Sequence, residues 1–114
     1  MDYRIIEMND VTVRIDGVSI GGLIDAGYEV NYPYSPQTGV NSSLPEYVIT
    51  VSFRPVTGTQ RPVLQKISNS CIQIIDPMRT VTIDGCKTWR YSCITDKDGM
   101  IETVKLIGYR LSLS

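Results

Sequence analysis

The stretch Val11-Thr-Val-Arg-Ile-Asp-Gly-Val-Ser-Ile20 alternates branched apolar with polar side chains, which marks this chain as a β protein. Val11, Val13 and Ile15 fall on one face and Thr12, Arg14 and Asp16 on the other, the two-residue period of a half-buried strand. Asp16-Gly17 stands where a two-residue hairpin turn is needed. Gly21-Gly22 then permits a bulge or sharp twist before Leu23-Ile-Asp-Ala-Gly-Tyr-Glu-Val-Asn-Tyr32. Residues 11–32 therefore read as a hairpin with a long second arm.

Outward from this hairpin the same period recurs. Tyr47-Val-Ile-Thr-Val-Ser-Phe-Arg54 is a second strong strand, and Tyr3–Glu7 is a candidate terminal strand. Cys71–Asp76, Thr80–Asp84, Cys86–Thr95 and Ile101–Leu113 read as four more. Asp76-Pro77 breaks the first of these, and Asp84-Gly85 and Asp98-Gly99 supply further hairpin turns. In the last strand Ile101, Ile107, Tyr109 and Leu111 compete with Val104 and Leu106 for the buried face. A strand covered on both faces resolves that conflict, with a subunit interface as the second cover. The single helical signal lies at about 60–69. There Thr57 or Thr59 can cap, Pro62 falls in the first turn, and Val63, Ile67 and Cys71 share a face with Leu64 beside them.

Composition agrees with a mostly β chain. Ile (14), Val (11) and Thr (10) dominate the 114 residues, whereas Ala occurs once and Leu six times. Branched side chains lose rotamer freedom in a helix and suit a pleated surface, and alanine is the best helix former. The length suits one domain spanning residues 1–114, with enough surface to bury a core.

The same counts narrow the function. Histidine is absent, which removes Ser-His-Asp and Cys-His catalysis and histidine metal sites. A net charge of -1 lacks the basic footprint of a tight nucleic-acid binder. No apolar run reaches the length of a membrane-spanning helix, and no signal-peptide pattern is expected ahead of the first strand. Cys71, Cys86 and Cys93 form an odd set without zinc-ligand spacing, so they read as unpaired structural thiols. Asp96-Lys-Asp-Gly-Met-Ile-Glu102 contains a D-x-D-G fragment, but flanking strands make it a hairpin turn rather than a calcium loop. Trp89 and Tyr91 read as core residues, with base stacking as the functional alternative. No catalytic residue, cofactor or metal is expected.

Residues 33–45 differ in kind. Pro-Tyr-Ser-Pro-Gln-Thr-Gly-Val-Asn-Ser-Ser-Leu-Pro has almost no alternation, and loops of this length are usually functional or disordered. Tyrosines at its margins are apt interface anchors. Tyr32, Tyr34, Gln37, Thr38, Val40, Asn41, Leu44 and Tyr47 are therefore the candidate inter-subunit contacts, with a loop folded onto its own domain as the alternative. Charge is also uneven along the chain. Residues 1–46 carry Arg4 and Arg14 against seven acids, while residues 47–114 carry nine Lys and Arg against five. Complementary ends or edges on one protomer favour head-to-tail contacts that close into rings or run on as filaments.

The hairpin at 11–24, the long loop and the strand Tyr47–Arg54 resemble the tail tube proteins of bacteriophages and phage-tail-like particles. The short helix expected at Gln60–Asn69, then Cys71-Ile-Gln-Ile-Ile75, Val81-Thr-Ile-Asp-Gly-Cys86 and a long final hairpin continue the resemblance over nearly the whole chain. It rests on the order of elements rather than on a signature motif. The resemblance implies a β-sandwich or partly rolled barrel with one flanking helix. It also implies hexameric rings whose sheets join edge to edge, and stacking into a tube through which a genome passes without specific binding. The partners would be copies of the chain itself and other tail proteins, and no membrane. The place would be the virion tail, assembled in the host bacterial cytoplasm. The loop at 33–45 would reach a neighbouring subunit or ring. Tail-end, tube-initiator and head–tail connector proteins are the related alternatives, and a monomeric polyanion-binding β-barrel is the alternative of a different class.

Overall fold

A computed structural model describes residues 10–41, 44–56 and 64–114. Among these the strands are β1 (Thr12–Ile15), β2 (Val18–Ser19), β3 (Leu23–Asn31), β4 (Tyr34–Ser35), β5 (Val40–Asn41), β6 (Glu46–Phe53), β7 (Ser70–Ile75), β8 (Thr80–Asp96), β9 (Gly99–Gly108) and β10 (Arg110–Leu113). The mostly β class is as composition implied. The expected strand at Tyr3–Glu7 lies outside the described residues.

The Asp16-Gly17 turn forms as its residue types demand. Ile15 pairs with Val18, and Asp16 and Gly17 both take positive φ, 50° and 82°. This is the twist that suits a two-residue hairpin. The Asp16 carboxylate also accepts hydrogen bonds from the Cys71 N–H (2.9 Å) and the Ser70 hydroxyl (2.7 Å), which fastens the turn to the start of β7. The irregularity expected after Gly21-Gly22 appears as a register shift between Leu23 and Asp25.

All strands but β4 and β5 join one antiparallel sheet ordered β2-β1-β7-β8-β9-β6-β3, with β10 added against β8. The long strand β8 links its two halves. Thr80–Asp84 pairs with β7 and β10, whereas Lys87–Asp96 pairs with β9. Asp84-Gly85 is therefore not the hairpin turn its residue types suggested. Gly85, at φ 70°, provides a bulge inside one continuous strand, because Cys86 and Ile83 pair with Ser70 and Ile72. Such an extra residue bends a strand and increases its twist. The second hairpin turn is shifted by one residue from Asp98-Gly99, since Asp96 pairs with Gly99 around Lys97 and Asp98.

Both halves of the sheet turn their apolar faces onto one core. Val13, Ile15, Ile72, Val81 and Ile83 come from one half, and Ile49, Val51, Phe53, Val104 and Leu106 from the other. Each such side chain contributes about 1.5–3 kcal/mol by leaving water. The competition within 101–113 is settled by register. Glu102, Val104, Leu106 and Gly108 are buried, while Ile101, Thr103, Lys105 and Ile107 line the other face, half-buried.

The helix expected at about 60–69 falls partly outside the described residues. Its described part is one 3-10 turn, Leu64–Lys66, and residues 57–63 lie outside the described set. Thr88 clasps this turn. Its hydroxyl donates to the Leu64 carbonyl (2.7 Å) and accepts from the Ile67 N–H (3.0 Å), while its own N–H donates to the Ile67 carbonyl (2.8 Å).

Candidate assembly surface

The segment 33–45 is not the plain loop its composition suggested. Tyr34 pairs with Asn41 and Ser35 with Val40, so β4 and β5 make a small separate hairpin. It continues from the end of the main sheet where Asn31 pairs with Glu46. The β8–β9 turn lies beyond the other end, past the Phe53–Glu102 pair. There the Arg54 guanidinium grips the Asp96 carboxylate with two bonds, 3.0 and 2.9 Å. The two projections thus extend from opposite ends of the same strands.

Of the residues singled out, the hairpin brings Tyr34, Gln37, Thr38, Val40 and Asn41 together, with Tyr32 at its base. Gln37 and Thr38 are exposed in its turn. Tyr34 is 60% and Leu44 76% exposed, and Tyr32 and Val40 are also open to solvent. A cluster of large apolar residues on a projection is the usual mark of a contact surface. Tyr47 stands apart from them: it packs against the core.

The second candidate surface is the four-strand half, β8–β9–β6–β3. Its outward face carries Asp25, Gly27 and Glu29 on β3 and Lys87 and Arg90 on β8. Among the described residues β3 pairs only with β6, and β8 beyond Thr88 pairs only with β9, leaving an edge at each side. One edge is acidic and the other basic. On this half the uneven charge of the sequence is realised in space; in the other half it is not, because β1 lies beside β7.

Trp89 corrects the expectation of a core residue. A register shift between Thr88 and Arg90 inserts it as an extra residue, and it is 58% exposed with Lys105 Nζ 6.0 Å from its ring centre. Tyr91, after the bulge, returns inward and donates a hydrogen bond to Glu102 Oε1. Glu102 is 3% exposed, a buried acid rather than a ligand of the D-x-D-G turn. The available signal was its place on β9 in phase with Val104 and Leu106.

The three cysteines are free thiols, with Cys86 buried, Cys71 half-buried and Cys93 exposed. Burial pushes the Cys86 thiol up to about 12, so it is inert at neutral pH. Among the described residues no cluster of His, Cys, Asp or Glu is placed to hold a metal ion, and no helix is long and apolar enough to cross a membrane. The D-x-D-G fragment is a turn in which Asp96 Oδ1 accepts from the Asp98 N–H (2.8 Å).

No protein-family model and no curated protein matches this sequence. Solved structures do. A chain of the sheath/tube terminator of an extracellular contractile injection system, PVC, aligns over 99% of this chain and 98% of its own, with TM-score 0.61 and 14% identity. A chain of the anti-feeding prophage tube-terminating cap aligns over 100% and 93%, with TM-score 0.60 and 11% identity. Hcp1 from Flavobacterium johnsoniae aligns over 91% and 94%, with TM-score 0.54 and 13% identity. This is the tail-tube fold. The tail-tube fold thus extends over the whole chain at an identity too low to carry any residue's role across.

Proposed function

We propose that this chain is a structural subunit that assembles with copies of itself into rings, which stack as the tube of a phage tail or phage-tail-like particle. The observation that carries the reading is the pair of edges that stay unpaired among the described residues, on the four-strand half of a chain with the tail-tube fold. The strands β8, β9, β6 and β3 alternate in direction. A copy placed beside the first by rotation about an axis along the strands therefore sets its β8 antiparallel to β3. Repetition closes a continuous sheet and removes the exposed edges, which are otherwise an aggregation hazard.

The outward face of this half is proposed to line the channel. It carries Asp25, Glu29 and Glu46 against Lys87, Arg90 and Lys105, with hydroxyls from Thr50, Ser52, Ser92 and Thr103. Balanced charge lets a polyanion such as a genome slide without the strong counterion-release binding of a basic wall. The β4–β5 hairpin, with Tyr32, Tyr34, Gln37, Thr38, Val40, Asn41 and Leu44, is proposed to reach a neighbouring subunit or ring, and Tyr47 to steady its base. Other tail proteins would cap the ends, and the particle would be assembled in the host cytoplasm.

Likeness to chains from a tube-terminating cap and a sheath/tube terminator favours a second reading, a component at the tube end. Negative-stain electron microscopy with mass photometry across a concentration series separates the two. Stacked tubes support the tube subunit, and single rings that never stack support the tube-end component. A monomer at all concentrations that binds single-stranded DNA in a salt-sensitive way overturns both.

A further inference from the structure

Two features at the edges of the four-strand half have no use among the described residues of the subunit. The first is Gly27, in the middle of β3. Its φ is not in the left-handed region, and a Cβ built on it meets no atom within 4 Å. Neither backbone conformation nor packing within the described chain asks for glycine, which weakens a strand interior. A glycine kept in a strand often marks the close approach of something else. Around it lies an open depression of about 220 Å³, bordered by Asp25 and Glu29 on β3 and by Val48 and Thr50 on β6.

The second feature is the Trp89–Arg90 bulge on β8, at the opposite edge. Bulges re-aim side chains, and this one turns an indole out to solvent, steadied by the Lys105 ammonium. Exposed Trp and Arg are the residue types that dominate interface energetics. Pairing places Gly27, Thr50, Lys105 and Arg90 in one row across the strands. When the subunit is repeated side by side, the Arg90 end of a row meets the Gly27 end of a neighbouring row.

We propose that the Trp89–Arg90 bulge of one copy seats in the Gly27 depression of the next, with the indole over the glycine and the Arg90 guanidinium between Asp25 and Glu29. This contact rests on the ring reading and adds to it a lock and a direction. Among the described residues Asp25, Glu29, Lys87 and Arg90 make no ion pair within the subunit. An aromatic ring covering an edge glycine shields backbone that is otherwise left to water. Pairing β3 with β3 sets acids against acids, and pairing β8 with β8 sets bases against bases. Both like-edge dimers are disfavoured, so only head-to-tail addition proceeds.

The test compares the full chain with three variants by mass photometry, electron microscopy and urea unfolding. At concentrations where both are monomeric, Gly27→Val should unfold at an equal or higher urea concentration than wild type, since valine suits a strand. Its rings should nevertheless dissociate at a concentration at least tenfold higher, because the depression is filled. Asp25→Lys/Glu29→Lys and Lys87→Glu/Arg90→Glu should each remain monomeric. An equimolar mixture of the two should form rings again, with the variants alternating. If wild type forms rings and these variants assemble equally well alone, the contact is wrong and the ring reading stands. If wild type never assembles, both are overturned.

Discussion

Gly108 offers a direct test of how β8 and β10 share the core. It ends β9 just before the chain turns at Tyr109 into β10, and it is buried. An alanine Cβ there would lie 2.4 Å from Ile83 Cγ2, 2.8 Å from Cys86 Sγ and 3.1 Å from the Asp84 carbonyl oxygen. Carbon atoms in contact settle at about 3.5–4.0 Å, so the methyl forces a displacement of roughly 1 Å or more. That displacement is resisted. Gly108 pairs with Tyr47, and the Tyr109 N–H donates to the same Asp84 carbonyl at 3.3 Å. Overpacking of this kind costs about 1–3 kcal/mol, and the lower chain entropy of unfolded alanine returns roughly 0.5–1 kcal/mol. From the middle of those ranges, Gly108→Ala should therefore lose about 1 kcal/mol net. For a domain of this size that lowers Tm by roughly 4–8 °C. Urea unfolding at concentrations where the chain is monomeric measures it. Combination with Ile83→Ala supplies the second arm, because removing Cγ2 makes room for the methyl. The double variant should be more stable than the sum of the single losses implies, by about 1 kcal/mol. An unchanged urea midpoint for Gly108→Ala, or strict additivity with Ile83→Ala, refutes the argument from close approach.

Two further outcomes follow from polar contacts. Tyr91→Phe removes a donor from the buried Glu102 carboxylate and should cost about 1–3 kcal/mol in urea unfolding at neutral pH; a midpoint equal to wild type means the phenol is dispensable. The bonds from the Cys71 N–H and the Ser70 hydroxyl hold the Asp16 carboxyl below its ordinary value of 3.8. The stabilisation from that shift is whole above 3.8 and is lost as pH falls through the lower folded value. Asp16→Asn should therefore unfold more easily than wild type at neutral pH, with the gap narrowing in acid; a gap that widens in acid assigns the effect elsewhere.

Much of the fold was legible because local chemistry and the final contacts agree. The two-residue alternation from Val11 to Ile15 and from Tyr47 to Phe53 names the buried face of β1 and β6, since a strand's side chains must alternate. Asp16-Gly17 names its own turn, because few residue pairs accept positive φ twice in succession. The segment at 33–45 was visible as a departure from alternation, though its short β4–β5 ladder was not. Two-residue strands are set by the hairpin they close and carry no period to read.

The candidate surface was legible only in part. Uneven charge along the chain pointed to complementary edges, but which strands form those edges depends on pairing between distant residues. Asp84-Gly85 reads as a turn locally and serves as a bulge because Ser70 and Ile72 hold β8 on both sides of it. Trp89 reads as core by parity and is exposed because the next bulge shifts that parity by one residue. The helix at about 60–69 gave way over its described part to a single turn because Thr88, more than twenty residues later, claims its carbonyl and amide groups. The mostly β class, the faces of the regular strands and the tight first turn are written in periods and residue types a few positions apart, and the tail-tube resemblance in the order of those elements. Where β8 bends, the burial of Glu102, and the placing of Gly27 and Trp89 at opposite edges of one face come from strand pairing, because register between strands is a long-range property that no local pattern encodes.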